Sequence, residues 1–194
     1  TYVMVHVYVP RAISRAIHAG VKSIEHGHLI DEPTMALIAE KNVWLSMQPF
    51  TLEDNQYPTK EQHAKHEMVV HGTDSTYQLA KKYKVNLAWG TDLLFNPANT
   101  VNENKGIGKL QKWFSNFEIL KMVTHDNAEL LALSGSRNPY PGKLGVIEEG
   151  ALADLILVEG NALEDVTLLE NPEKNILLIM KGGQIYKHTL SSSE

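Results

Sequence analysis

The stretch Val21–Asp31, "VKSIEHGHLID", passes from one kind of structure to another within three turns of chain. Val21 to Glu25 reads as a buried strand. Asp31 is placed to cap a helix, and Met35, Leu37, Ile38 and Ala39 give that helix a buried side. The same unit recurs on both sides. Upstream, Tyr2 to Val9, "YVMVHVYV", is a β-branched apolar run of the kind covered on both faces. Pro10 stops it and suits a first helical turn, and Ala12, Ile13, Ala16 and Ile17 follow at helical spacing before Gly20. Downstream, Val43 to Met47, "VWLSM", is a third strand, followed by a polar loop from Gln48 to about Lys60 and a long helix to Tyr83. Val85 to Trp89, "VNLAW", is the fourth. After another loop, Ser115 to Glu118 forms a Ser-x-x-Glu capping box that opens a helix towards Leu133.

Four strand-then-helix units in series predict an α/β fold with a parallel sheet, its loops and chemistry at the strands' C-terminal ends. An eight-unit barrel takes about 250 residues, so four units ending near residue 133 would make a partial (β/α)8 TIM barrel. A complete doubly wound sheet is the alternative. From Asn138 the character changes to turn-rich sequence with short strands expected at Gly145 to Ile147 and Leu155 to Val158. Ile176 to Met180 should pair with Gln184 to Lys187 across Gly182-Gly183 as a hairpin. The expected division is therefore a barrel half over 1–137, a small β unit over 138–190 and a frayed tail over 191–194.

Of the 194 residues 43% are apolar, enough for a substantial core. The formal charge of -5 is spread along the chain with no basic block, which argues against nucleic acid as a partner. No run approaches the roughly 18 apolar residues of a membrane-spanning helix, so no membrane partner is expected. With no cysteine, any metal chemistry falls to the nine His and to Asp and Glu. The chain starts at Thr1 on a strand-like run without a signal-like segment, and so reads as processed or as a piece of something longer.

Three polar residues stand at strand C-terminal ends: His6 in "VHVY", His26 in "EHG" and Asp92 in "GTD". Parallel strands deliver such residues to one rim, and two imidazoles with a carboxylate suit a divalent transition metal such as zinc. The competing reading is a buried histidine satisfied by backbone.

Taken in order, "VMVHVY", "GVKSIEHG", "VNLAWGTD", "GKLGVIEEGALADLILVEGNALEDV" and "IMKGGQIYK" resemble the C-terminal half of the amidohydrolase superfamily. The likeness is greatest to prolidase-like, arginine or lysine carboxypeptidase-like and imidazolonepropionase-like members. That resemblance implies a metal-dependent barrel hydrolase that cleaves the amide bond of a dipeptide or C-terminal residue through metal-activated water. A cyclic amide hydrolase of the imidazolonepropionase type is the alternative. The implied cofactor is a divalent metal, zinc first, as one or two ions in the intact enzyme. His6 and His26 would be the ligands of the fifth and sixth strands, and Asp92 the ligand of the eighth and the catalytic base. The family's first-strand His-x-His pair and fourth-strand Lys are missing, so this chain is expected to hold half a site, with weak or absent metal binding and little or no activity alone. Its implied partners are a small-molecule or dipeptide substrate and the missing N-terminal half or another chain. A non-catalytic half-barrel that pairs its open edges, with a second copy as one partner, is the rival reading.

Tyr8 shares its strand face with His6 and, by resemblance, would bind a substrate carboxylate, with a rim aromatic packed on a loop as the alternative; His28 is a candidate alternative ligand or substrate contact, or a histidine held by backbone. His63, His66 and His71 lie in a charged helix and are expected on a solvated face, with His18, His125 and His188 also at the surface or structural. The loop from Gln48 to Tyr57 is a candidate cover over substrate. Asp154 is expected to hold a turn.

Overall fold

The apolar runs that become strands each pair with at least one neighbour. In a computed structural model, which describes residues 1–52, 57–93 and 97–190, β1 (Met4–Val7), β2 (Ser23–His26), β3 (Trp44–Met47) and β4 (Leu87–Trp89) form one parallel sheet in chain order. The register sets Val7 beside His26, Glu25 beside Ser46 and Met47 beside Trp89. It therefore brings the C-terminal ends of all four strands to one rim. β3 is buried along its whole length, whereas Val3, Met4 and Val9 around β1 are exposed. β1 is an edge of this sheet.

The connecting helices follow their sequence signals. α1 (Pro10–His18) has Pro10 in its first turn and buries Ile13 and Ile17 one turn apart. α2 (Glu32–Glu40) is capped by Asp31, whose carboxylate accepts the Thr34 N–H at 3.0 Å, and it buries Met35 and Ile38. α3 (Lys60–Tyr83) is capped by Thr59 and buries Tyr77 and Ala80. Glu32 accepts hydrogen bonds from Lys82 and Tyr83, which ties the start of α2 to the end of α3.

The chain divides into two compact units, Thr1–Gly90 and Thr91–Glu194. In the second, residues 97–112, read from sequence as a loop, coil into short helical turns that include α4 (Gly106–Lys109). Ser115 and Glu118 form the expected reciprocal capping box at the head of α5 (Asn116–Lys121). The helix then widens into a π turn over Met122–Asp126 before α6 (Asn127–Ala132), where the Thr124 hydroxyl donates back to the Leu120 carbonyl at 2.6 Å. β5 (Leu155–Val158), β6 (Ile176–Lys181) and β7 (Gln184–His188) make an antiparallel sheet in chain order, preceded at β6 by the short α7 (Pro172–Asn175). The hairpin across Gly182 and Gly183 is as expected, and the Asp154 carboxylate accepts the Gly182 N–H at 2.6 Å and so holds that turn.

The strand expected at Gly145 to Ile147 does not form. Gly145 has φ +70°, and a Cβ there would come within 2.7 Å of the His125 backbone. A left-handed glycine pressed against a helix cannot continue an extended ladder. Among the described residues no helix is long and apolar enough to cross a membrane.

Candidate functional site

β1, β2 and β3 end side by side, and what they present there is almost entirely imidazole, phenol and amide. His26, the last residue of β2, is buried, and its two ring nitrogens have different neighbours. Nδ1 lies 2.8 Å from the Gln48 side-chain oxygen, and Nε2 lies 2.8 Å from Nδ1 of His6 on β1. The amide oxygen accepts, so Nδ1 of a neutral His26 carries the hydrogen and Nε2 turns a lone pair towards His6. Tyr8 covers this pair. Its ring stacks on His26 with centroids 4.7 Å apart and planes 10° apart, and it meets His6 edge-on at 5.3 Å.

His28 lies deeper. Its Nε2–H donates to the Gln48 carbonyl at 2.9 Å, and that carbonyl also accepts the Phe50 N–H at 3.0 Å. Its ring stacks against Phe50 at 5.0 Å and faces Tyr8 at 5.8 Å. Burial pushes this imidazole down to about 4, against the smaller upward pull of the Gln48 carbonyl and with a further push down from His26, so it is neutral near pH 7. Its Nδ1 is buried with no hydrogen-bond partner among the described residues. From the other side, the Thr76 hydroxyl of α3 donates to the His28 carbonyl at 3.1 Å. Gly72, one turn earlier, lets α3 approach so closely that a Cβ there would sit 1.9 Å from the same oxygen.

The backbone at the rim is also unusual. Four described residues other than glycine have positive φ: His26 at 78°, Asn42 at 50°, Lys84 at 52° and Asp92 at 52°. Asn42 and Lys84 follow helix ends, where a left-handed residue is routine. His26 and Asp92 instead sit at or just past strand ends, and such backbone away from helix ends gathers at functional positions. Asp92 belongs to the second compact unit, where it is exposed.

The sequence-derived candidates thus separate. His6, His26, Tyr8 and His28 come together in the first unit. His63 and His71 are exposed, as expected for a charged helix face, but His66 is not. Its Nε2–H donates to the Thr51 carbonyl at 3.0 Å and its ring lies against Tyr57 at 5.0 Å, and these two residues cover it. Residues 53–56 of the loop expected over substrate lie outside the described residues. Gln48 was not singled out as a site residue in its own right. The available signal was a polar residue directly after a fully buried strand.

Among the described residues no three or more His, Asp or Glu side chains are gathered as a metal-binding group. The His6–His26 pair does fit a divalent transition metal as part of a ligand set: two ring nitrogens converge, and one is backed by an amide oxygen, the usual support of a ligating imidazole.

The sequence profile of the amidohydrolase family matches residues 1–186. The chain is 30% identical over 190 residues to the ochratoxinase of Aspergillus niger, which covers 95% of this chain and 38% of that protein. It superposes on the crystal structure of a prolidase complexed with N-methylphosphonate-L-proline with a TM-score of 0.82 and 29% identity, covering 97% of this chain and 45% of that one. A Xaa-Pro dipeptidase with methionine bound in its active site gives a TM-score of 0.79 and 30% identity over 96% of this chain and 45% of that one. The chain therefore spans less than half the length of the relatives it matches.

Proposed function

Because the chain belongs to the amidohydrolase family, we propose that it is the C-terminal part of a metal-dependent hydrolase whose intact form cleaves the amide bond of a dipeptide or C-terminal residue. In this reading residues 1–137 are strands five to eight of a (β/α)8 barrel with their helices, and 138–190 are part of a small composite β domain. One observation carries it. Two histidines from neighbouring parallel strands meet nitrogen to nitrogen at the sheet's C-terminal rim, backed by a buried amide. The prolidase and the Xaa-Pro dipeptidase among its structural neighbours support the dipeptide class.

His6, His26 and Asp92 would hold the metal, zinc by preference for imidazole and carboxylate. When bound, it supplies an acidified water and polarises the scissile carbonyl. Asp92 takes the proton from the attacking water and returns it to the leaving amine, a role open to a carboxylate kept ionised by a cation. Tyr8 donates to the substrate carboxylate, and neutral His28, buried and held by the Gln48 carbonyl, stacks behind it. The 194-residue chain, lacking the other ligands, is inactive by itself.

The test is dipeptide hydrolysis by a longer polypeptide that adds a first-strand His-x-His pair upstream of Thr1. Chelator-sensitive turnover of Xaa-Pro or related dipeptides is expected, and lost in the His26→Ala protein. A metal-loaded protein with the complete ligand set that cleaves no dipeptide would overturn the substrate class. A second reading, a non-catalytic half-barrel that assembles with another chain, draws on the edge position of β1 and β4 in their sheet. A coding sequence that starts at Thr1 would favour it.

A further inference from the structure

Both histidines of β2 and its following turn hydrogen-bond to one residue, Gln48. It follows β3 directly and is itself buried. Its carbonyl accepts twice, from the His28 Nε2–H at 2.9 Å and from the Phe50 N–H at 3.0 Å. A carbonyl has two acceptor sites, so its place is fixed by both. Its side-chain oxygen lies 2.8 Å from His26 Nδ1. The backbone bonds hold the residue still, and the side chain transmits that position to His26.

We infer that Gln48 is a positioning residue for the rim: its amide oxygen takes the Nδ1 hydrogen of His26 and thereby dictates that Nε2 is the nitrogen that presents a lone pair towards His6. The choice matters because a neutral imidazole has one hydrogen and one lone pair, and only the bare nitrogen binds a cation. Without an acceptor at Nδ1 the hydrogen can settle on Nε2, where it would point at His6 Nδ1 and block that approach. The Tyr8 ring stacked on one face of His26 limits rotation of the imidazole out of this arrangement. His28 is locked in the same way with the opposite outcome. Its hydrogen is on Nε2, committed to the Gln48 carbonyl, and its lone pair is on Nδ1. One residue therefore assigns opposite hydrogen placements to two histidines two positions apart.

The link to metal rests on the proposed function; the assignment of the hydrogen does not. Nitrogen-15 histidine spectra of the 194-residue chain at neutral pH read both ring nitrogens of His26 directly. Wild type is expected to show His26 protonated at Nδ1 and bare at Nε2. Gln48→Met, which keeps the length and removes the acceptor, should shift His26 towards the Nε2-protonated form, and Gln48→Glu should restore the original pattern. His28, held by backbone, should stay protonated at Nε2 in all three. A wild-type His26 protonated at Nε2, or a Gln48→Met spectrum identical to wild type, would overturn the inference. Zinc added to the same samples judges the metal reading separately. A perturbation of His26 Nε2 that needs about 10–100-fold more zinc in Gln48→Met, with recovery in Gln48→Glu, supports both. A zinc response of equal strength at His26 in wild type and Gln48→Met removes the link to metal and leaves the positioning role standing.

Discussion

At the scale of single residues, the rim depends on a contact that the sequence alone does not display. It is made at Gly72, whose missing side chain lets α3 rest on the His28 carbonyl. In a free helix Gly→Ala gains up to about 1 kcal/mol. Here the added methyl meets backbone at 1.9 Å, and overpacking of that kind costs about 1–3 kcal/mol. Gly72→Ala should therefore lower the urea midpoint, and a raised midpoint would show that α3 does not bear on His28 as described. A separate test falls on Asp92, the proposed catalytic base. In the longer enzyme Asp92→Asn should cut turnover by about 10²–10⁴-fold with a smaller effect on substrate KM, as expected for loss of a proton carrier. His6 and His26 can be picked out as rim candidates because each lies in or at the end of a recognisable apolar run, which the structure forms as a strand. Gln48 cannot, since nothing in "SMQPF" says that its side chain reaches back to a strand 22 residues earlier.

At the scale of elements, local signals and outcome agree where the interaction is local. Asp31 and Ser115 cap the helices their spacing predicts, so Asp31→Ala should destabilise the first unit by about 1 kcal/mol in urea denaturation, whereas Asp31→Asn should be near neutral. The tie between α2 and α3 adds a pH dependence. Lys82 beside Glu32, with Tyr83 as a further donor, holds this carboxyl below its ordinary value of 4.5. A depressed carboxyl stabilises the fold above its unfolded value, and that contribution disappears as pH falls through the depressed one. Glu32→Gln should accordingly lower the urea midpoint slightly at pH 7 and progressively less as the pH falls below the ordinary value, with the gap narrowing in high salt because the pair is exposed. Elements set by distant contacts were harder to read. The strand expected at Gly145 is prevented by the His125 backbone lying against it, and the helical turns of 97–112 are tied to Leu169 and Glu170 far along the chain. The π turn inside the helix after Ser115 left no mark in the spacing of its apolar residues.

For the whole molecule, the parallel arrangement of β1 to β4 was readable from the alternation of apolar runs and amphipathic stretches, because only a crossover helix lets consecutive strands run the same way. Closure into a barrel leaves no such mark, since it would depend on partners for the edge strands β1 and β4. Parallel sheets are normally covered and continuous, yet Val3 and Met4 beside and within β1 are 61% and 53% exposed. The isolated chain should therefore show no chelator-sensitive dipeptidase turnover, measured by product release at high protein concentration. Addition of a separate polypeptide that carries strands with a His-x-His pair should restore activity only if it also changes the sedimentation of this one. Turnover by the chain alone would remove the half-site reading.

The left-handed backbone at His26 and Asp92 has a consequence for how substitutions at these positions are to be interpreted. Histidine, asparagine and aspartate tolerate that conformation far better than β-branched residues, and glycine best of all. A mutant library sorted only for abundance in cells, with no selection for catalysis, should already retain this small alphabet at both positions. Enrichment of histidine or aspartate there would then report chain geometry as well as chemistry. The residues whose retention speaks for chemistry alone are those with ordinary backbone, His6 and Gln48, which makes them the cleaner markers of an active relative.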